Sequence, residues 1–196
     1  MKKSIFTLLF VAIGGMTMFA AQPKIWLLGD GTMAGWGKAF AEQVGATVEV
    51  KNIAQDGLSM KMLDEMGGLD SVIVDKTKKD FLLLQLGQND LNETNLDTYS
   101  SLDDFTQELV ALVHAAEKKK MMVILCTPLA HPYYKEGVLI DRLGGYAEAV
   151  RRVAISLDVP LIDLEESSHE WIAGLGEEGV QAYYDGLNTE ERPAGE

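Results

Sequence analysis

Four short clusters hold the groups of this chain best placed to do chemistry. They are Gly29-Asp30-Gly31-Thr32, Asn52-Ile53-Ala54-Gln55-Asp56-Gly57-Leu58-Ser59, Gly87-Gln88-Asn89-Asp90 and, near the C-terminus, Asp185-Gly186-Leu187-Asn188. Carboxylates accept hydrogen bonds, carboxamides and hydroxyls do both, and each glycine adds a backbone N–H. Read singly the clusters are bland, because a glycine after a strand is usually a turn and Asn-Asp is usually a cap or an Asx turn. Other chemistry is poorly supplied. One cysteine, Cys126, and three scattered histidines leave no ligand set for a metal and no disulfide framework, so neither metal nor cofactor is expected. His131 lies in a loop after an apolar run and is a possible ligand contact. His114 and His169 read as helix-surface residues, and Cys126 as a buried apolar filler.

The elements that must position these clusters are legible as alternating patterns. Ile25–Leu28, Thr47–Val50, Phe81–Leu86, Met122–Cys126 and Val159–Ile162 are short apolar runs bounded by turn residues, as expected for parallel strands covered on both faces. Between them, Leu102, Phe105, Leu109, Leu112 and Ala116 step by three and four, as do Leu143, Tyr146, Val150, Val153 and Leu157. Glu148, Arg151 and Arg152 fall outside the second stripe, and Glu165-Glu166 read as a solvated face. Strand and helix in alternation predict a doubly wound α/β sandwich. In such a fold ligands bind beyond the carboxyl ends of the strands. The first three clusters and the segment Thr127–Tyr134 stand there.

The chain has 196 residues, 17 of them Lys or Arg and 30 Asp or Glu, for a net charge of −13. That balance repels phosphate backbones and excludes a nucleic-acid partner. Lys2 and Lys3, the apolar run Ile5–Ile13, Gly14-Gly15 and the small-residue end Ala20-Ala21 have the order of a secretory signal. The alternative, an uncleaved anchor, is weakened by Gly14-Gly15, since a span needs about 20 apolar residues. Residues 1–21 are therefore expected to be removed, leaving one domain over 22–196 with 15 basic and 30 acidic residues, a charge of −15. An exported bacterial-type protein follows, secreted or periplasmic, with no stable membrane insertion after cleavage.

Taken together, in this order and at these strand ends, the clusters resemble the SGNH (GDSL) hydrolases, most closely the branch similar to rhamnogalacturonan acetylesterases. The likeness runs from about Lys24 to the end and includes Gly35-Trp36-Gly37, Thr127-Pro128 and Gly145-Tyr146. It implies a three-layer αβα sandwich around a five-stranded parallel sheet of flavodoxin-like order 2-1-3-4-5. It implies acyl transfer without a cofactor. A serine after the first strand attacks an ester, a C-terminal histidine takes its proton, and an aspartate three residues earlier orients that histidine. By the same resemblance the oxyanion is held at the backbone N–H of residue 31, at Gly57 and at Asn89, with Asp185 as the orienting aspartate. Asp30, Thr32, Trp36, Gln88 and His131 are possible contacts to an acetylated poly- or oligosaccharide, with core packing the alternative for Trp36.

Two positions depart from that pattern. Gly31 stands where the family has its nucleophilic serine, and Asn188 where it has its basic histidine. An alternative alignment puts the histidine position at Gly186, which is no base either. The resemblance thus implies a carbohydrate O-acetyl esterase, while Gly31 and Asn188 imply impaired catalysis; a non-catalytic carbohydrate-binding protein or a truncated relic is the alternative. The family also has a final helix after the histidine block. This sequence stops at Pro193-Ala194-Gly195-Glu196, about where that helix would begin, so it is expected to be lacking.

Overall fold

The computed structural model describes residues 23–44, 48–76 and 79–190. The signal-like segment over residues 1–21 lies outside the described residues. Five strands form one parallel sheet: β1 (Lys24–Gly29), β2 (Glu49–Asn52), β3 (Phe81–Gln85), β4 (Met122–Cys126) and β7 (Leu161–Ile162), in the order β2-β1-β3-β4-β7. This is the expected 2-1-3-4-5 arrangement. A small antiparallel hairpin, β5 (Tyr134–Lys135) with β6 (Val138–Leu139), was not foreseen. The second sheet strand begins two residues later than its apolar run suggests.

Period-two alternation along the strands splits the core into two layers. Trp26, Leu28, Leu82, Leu84, Val123 and Leu125 face one side, where they meet α2 (Met60–Glu65), α3 (Leu69–Val72), α4 (Leu102–Lys118) and α5 (Gly144–Ser156). Leu27, Leu83 and Cys126 face the other, against Met33, Trp36 and Phe40 of α1 (Gly31–Val44) and Leu164 of α6 (Leu164–Glu190). Phe105, Leu109, Leu112 and Ala116 of the predicted α4 stripe are buried while Leu102 at its start is exposed, and Phe105 meets Tyr146 of α5 edge to face at 5.1 Å. Ser101 caps α4 by accepting from the Asp104 N–H, and its hydroxyl donates back to the Asp104 carboxylate, satisfying helix-end groups that water would otherwise have to take. At the opposite end of the sheet, buried Asp80 accepts from the Lys24 N–H and from Trp26 Nε1, both at 2.9 Å, fastening the start of β1 to the approach to β3.

Two expectations about charged residues are corrected. Arg151 and Glu165 are not outer-face residues. Arg151 forks onto Asp163 through Nε (2.7 Å) and Nη2 (2.9 Å), and Nη2 also reaches Glu165 at 2.7 Å. Thr127 joins the cluster, donating to Asp163 at 3.1 Å and accepting from the Glu165 N–H at 2.8 Å. Glu165 is only 7% exposed, and the guanidinium compensates its burial, so this cluster ties α5 to the carboxyl ends of β4 and β7 and to the start of α6. The hydrogen bonds to Arg151 come first among the causes that lower the Asp163 pKa.

The segment around Asp185 and Asn188 is helical. Both residues fall inside α6, which carries a non-helical break at Gly176 (φ 69°) and continues to Glu190. The expected lack of a helix beyond Asn188 falls largely on residues 191–196, which lie outside the described residues.

Candidate functional site

The site grows from the carboxyl ends of β1, β2 and β3. Gly29 ends β1, and its carbonyl accepts from the Gln55 N–H at 2.9 Å, drawing the segment after β2 alongside. The chain then turns at Asp56-Gly57, where Gly57 holds φ +78°, a conformation in which a β-carbon would be strained. Gly31 opens α1 directly opposite. A β-carbon built on Gly31 would lie 2.5 Å from Asp56 Oδ1 and 3.2 Å from its Cγ. The space that a nucleophilic side chain would enter therefore holds the carboxylate of Asp56. Asn89, after β3, donates through Nδ2 to the Leu58 carbonyl at 2.9 Å and so stands against the same turn. Gly31, Gly57 and Asn89 are thus brought together, with Asp56 among them.

The backbone N–H groups of Gly31 and Gly57 donate to no backbone carbonyl among the described residues. Asn89 spends one amide hydrogen on Leu58 and retains another. These three residues stand around the Asp56-Gly57-Leu58 turn, and several such donors are what a developing oxyanion, or any ligand oxygen, requires.

The neighbours are committed to holding this frame. Asp30 is 1% exposed, and its Oδ1 accepts from the Thr32 N–H (2.9 Å) and hydroxyl (2.6 Å). Burial raises its pKa, and the hydrogen bonds from Thr32 pull the other way. The Thr32 hydroxyl, turned inward on Asp30, is not presented as a substitute nucleophile. Trp36 is partly buried, donates through Nε1 to Gln85 at 2.9 Å and meets Phe40 edge to face. Gln88 keeps Oε1 buried without a hydrogen-bond partner. Asp90 is fully buried and accepts from the Met60 N–H at 2.9 Å, fixing the start of α2; burial pushes its pKa up to about 6.

The remaining predicted residues stand on other segments of the chain. His131 is an exposed loop residue, and desolvation followed by the charge of Arg142 lowers its pKa, which favours the neutral imidazole. Arg142 itself stacks over the Tyr133 ring at 5.2 Å. Asp185 and Asn188 lie on the last turns of α6. His114 is a surface residue beside Glu117, and Cys126 is buried with its thiol pushed up to about 12 by desolvation. Among the described residues no group of three or more His, Cys, Asp or Glu is disposed to hold a metal, and no helix is long and apolar enough to cross a membrane. Sequence reasoning gave Asp56 no role. Its Asp-Gly dipeptide signalled only a turn, and nothing local revealed that the turn would fold over Gly31.

Comparison with known proteins agrees with the fold and the strand-end motifs. The model of the GDSL-like lipase/acylhydrolase family matches residues 19–187. A probable rhamnogalacturonan acetylesterase of Bacillus subtilis, YesY, is 29% identical over 174 residues, covering 86% of this chain and 80% of its own. The rhamnogalacturonan acetylesterase RhgT of the same organism is 29% identical over 181 residues, covering 87% and 77%. Among solved structures, the acetyl xylan esterase AlAXEase superposes with a TM-score of 0.62 at 20% identity, covering 88% of this chain and 86% of that one. The frame of the first three strand ends and the match across most of the sequence lead to one conclusion: this chain belongs to the GDSL-like lipase/acylhydrolase family.

Proposed function

We propose that this chain is an exported protein that engages acetylated plant-type polysaccharide at the carboxyl edge of its sheet and hydrolyses the acetyl ester poorly or not at all. The observation that carries this reading is the combination at one place of a retained donor set, Gly31 N–H, Gly57 N–H and Asn89, with a glycine where the nucleophile belongs. Support for the substrate class comes from relatives whose names specify rhamnogalacturonan and acetyl xylan esterases. Support for export comes from the order of charged, apolar and small residues over 1–21.

The kinetic argument is quantitative. In serine hydrolases the loss of nucleophile or base costs on the order of 10⁶ in turnover and leaves roughly 10³–10⁴ over water. At about 1.4 kcal/mol per decade the loss corresponds to ~8 kcal/mol of barrier. Three oxyanion donors alone do not supply that. The test is hydrolysis of 4-nitrophenyl acetate by the purified protein. The expected rate is no faster than that of an unrelated exported protein of equal size, and turnover above about 1 s⁻¹, an ordinary enzyme value, overturns the impairment.

A further inference from the structure

We propose that Asp56 makes this site select free sugar hydroxyls over their acetyl esters, so that it binds the deacetylated form of its polysaccharide in preference to the acetylated one. The inference rests on the carbohydrate-binding reading above and changes its preferred ligand: of the polysaccharide named there, the form with free hydroxyls binds better than the acetylated one.

The argument begins with space. A serine at position 31 would place its β-carbon 2.5 Å from Asp56 Oδ1, closer than such atoms approach, so the carboxylate stands in the volume a nucleophile would need. Asp56 is solvent-exposed, and no hydrogen bond or ion pair to another described residue occupies it. Immediately beside it in sequence is Gly57, whose N–H is uncommitted to any backbone carbonyl, and Asn89 holds the following carbonyl. The site therefore presents an acceptor next to several donors.

That pairing discriminates between a hydroxyl and an ester. A hydroxyl oxygen accepts from the N–H groups while its hydrogen is donated to Asp56, satisfying both sides at once. An acetyl ester offers acceptors only. With its carbonyl oxygen on the N–H groups, it has no hydrogen for Asp56, and it sets a methyl or a second oxygen lone pair against a carboxylate that has lost water. An acceptor left facing a donor-less group is penalised more heavily than a matched pair is rewarded. In a serine esterase the same location carries a hydroxyl that attacks the ester carbon; here it carries an anion that repels the ester's oxygens.

The experiment is calorimetric titration at neutral pH with two matched pairs: acetylated xylo-oligosaccharides and the same material after alkaline deacetylation, and the equivalent pair of rhamnogalacturonan oligosaccharides. The expected result is tighter binding of the deacetylated member of at least one pair, on the order of tenfold, as for a hydrogen bond to an exposed charged group. Asp56→Ala, at an exposed position that leaves the fold intact, is expected to abolish the preference. Tighter binding of the acetylated member by the unaltered protein overturns the inference and leaves carbohydrate binding standing. A preference that persists in Asp56→Ala also overturns it. If no member of either pair binds, the inference falls together with the reading beneath it.

Discussion

At the scale of single residues, the contact between Gly31 and Asp56 decides how catalysis would be restored. Nucleophile and base act as a unit, so Gly31→Ser or Asn188→His alone should release little acetate, and the two together should exceed the product of their separate effects. The new serine, however, would meet Asp56 Oδ1 at 2.5 Å from its β-carbon unless the carboxylate rotates away. Adding Asp56→Ala to the double variant is therefore expected to raise acetate release by up to about 100-fold, the cost of roughly an ångström of misplacement at a reacting group. Steady-state hydrolysis of 4-nitrophenyl acetate by the double and triple variants checks this. No gain in the triple variant, with Gly186→His no better than Asn188→His, would remove Asp185–Asn188 from the site. The sequence carried part of this picture. Gly31, Gly57 and Asn89 were found by their motifs, whereas Asp56 was passed over because its role exists only through contact with a residue 25 positions away.

At the scale of elements, the sheet and the helices α4 and α5 were readable because a parallel strand buried on both faces is a continuous apolar run and an amphipathic helix steps by three and four. Strand order followed from the family resemblance. The helix α6 was not readable, since Gly174, Gly176 and Gly179 interrupt it and its polar residues surround it rather than lining one face. The salt-bridged cluster at Arg151 was equally hidden, because Asp163 and Glu165 become its neighbours only when β7 returns beside β4. One junction between elements has a measurable signature. Asp90 joins the end of β3 to the start of α2, and its folded pKa of about 6 exceeds the ordinary aspartate value. The folded state thus holds that proton more tightly than the unfolded chain. Its stabilising effect is complete below the unfolded pKa and is lost as pH rises towards 6. Asp90→Asn retains an acceptor for the Met60 N–H and removes the titration. Urea denaturation should show the difference in stability between variant and parent shifting in the variant's favour by up to about 3 kcal/mol between pH 4 and pH 7, at about 1.4 kcal/mol per pKa unit. A difference independent of pH would rule out Asp90 as the titrating group.

At the scale of the whole molecule, net charge bears on which polymer the site prefers. The full chain carries −13, and the segment after residue 21 carries −15, with 15 basic and 30 acidic residues. A pectic oligosaccharide with uronic acids is repelled by that charge, whereas a neutral xylo-oligosaccharide is not. Raising salt from about 0.01 M to about 0.15 M shortens the screening length from about 30 Å to about 8 Å. Affinity for the acidic oligosaccharide should therefore increase severalfold over this range while that for the neutral one stays constant. Calorimetry at the two salt concentrations measures it, and a fall in affinity for the acidic ligand would reveal a local basic contact that outweighs the global charge. The gathering of the strand-end segments was legible at this scale, because a doubly wound sheet brings its loops to the carboxyl edge whatever their chemistry.

Gly29 lends the Gly-Asp motif a meaning separate from reactivity. A β-carbon there would lie 2.5 Å from the Gln85 carbonyl and within 2.9 Å of Met33, and the next residue, Asp30, is buried on Thr32. Both letters are thus demanded by how β1 meets β3 and α1, while at the third letter a side chain would displace only the exposed carboxylate of Asp56. A lineage is then free to erase its nucleophile without disturbing the scaffold that advertises one. The signature left behind in such a gene testifies to ancestry and architecture, and activity has to be read from the third position, where the neighbour is a movable carboxylate rather than backbone.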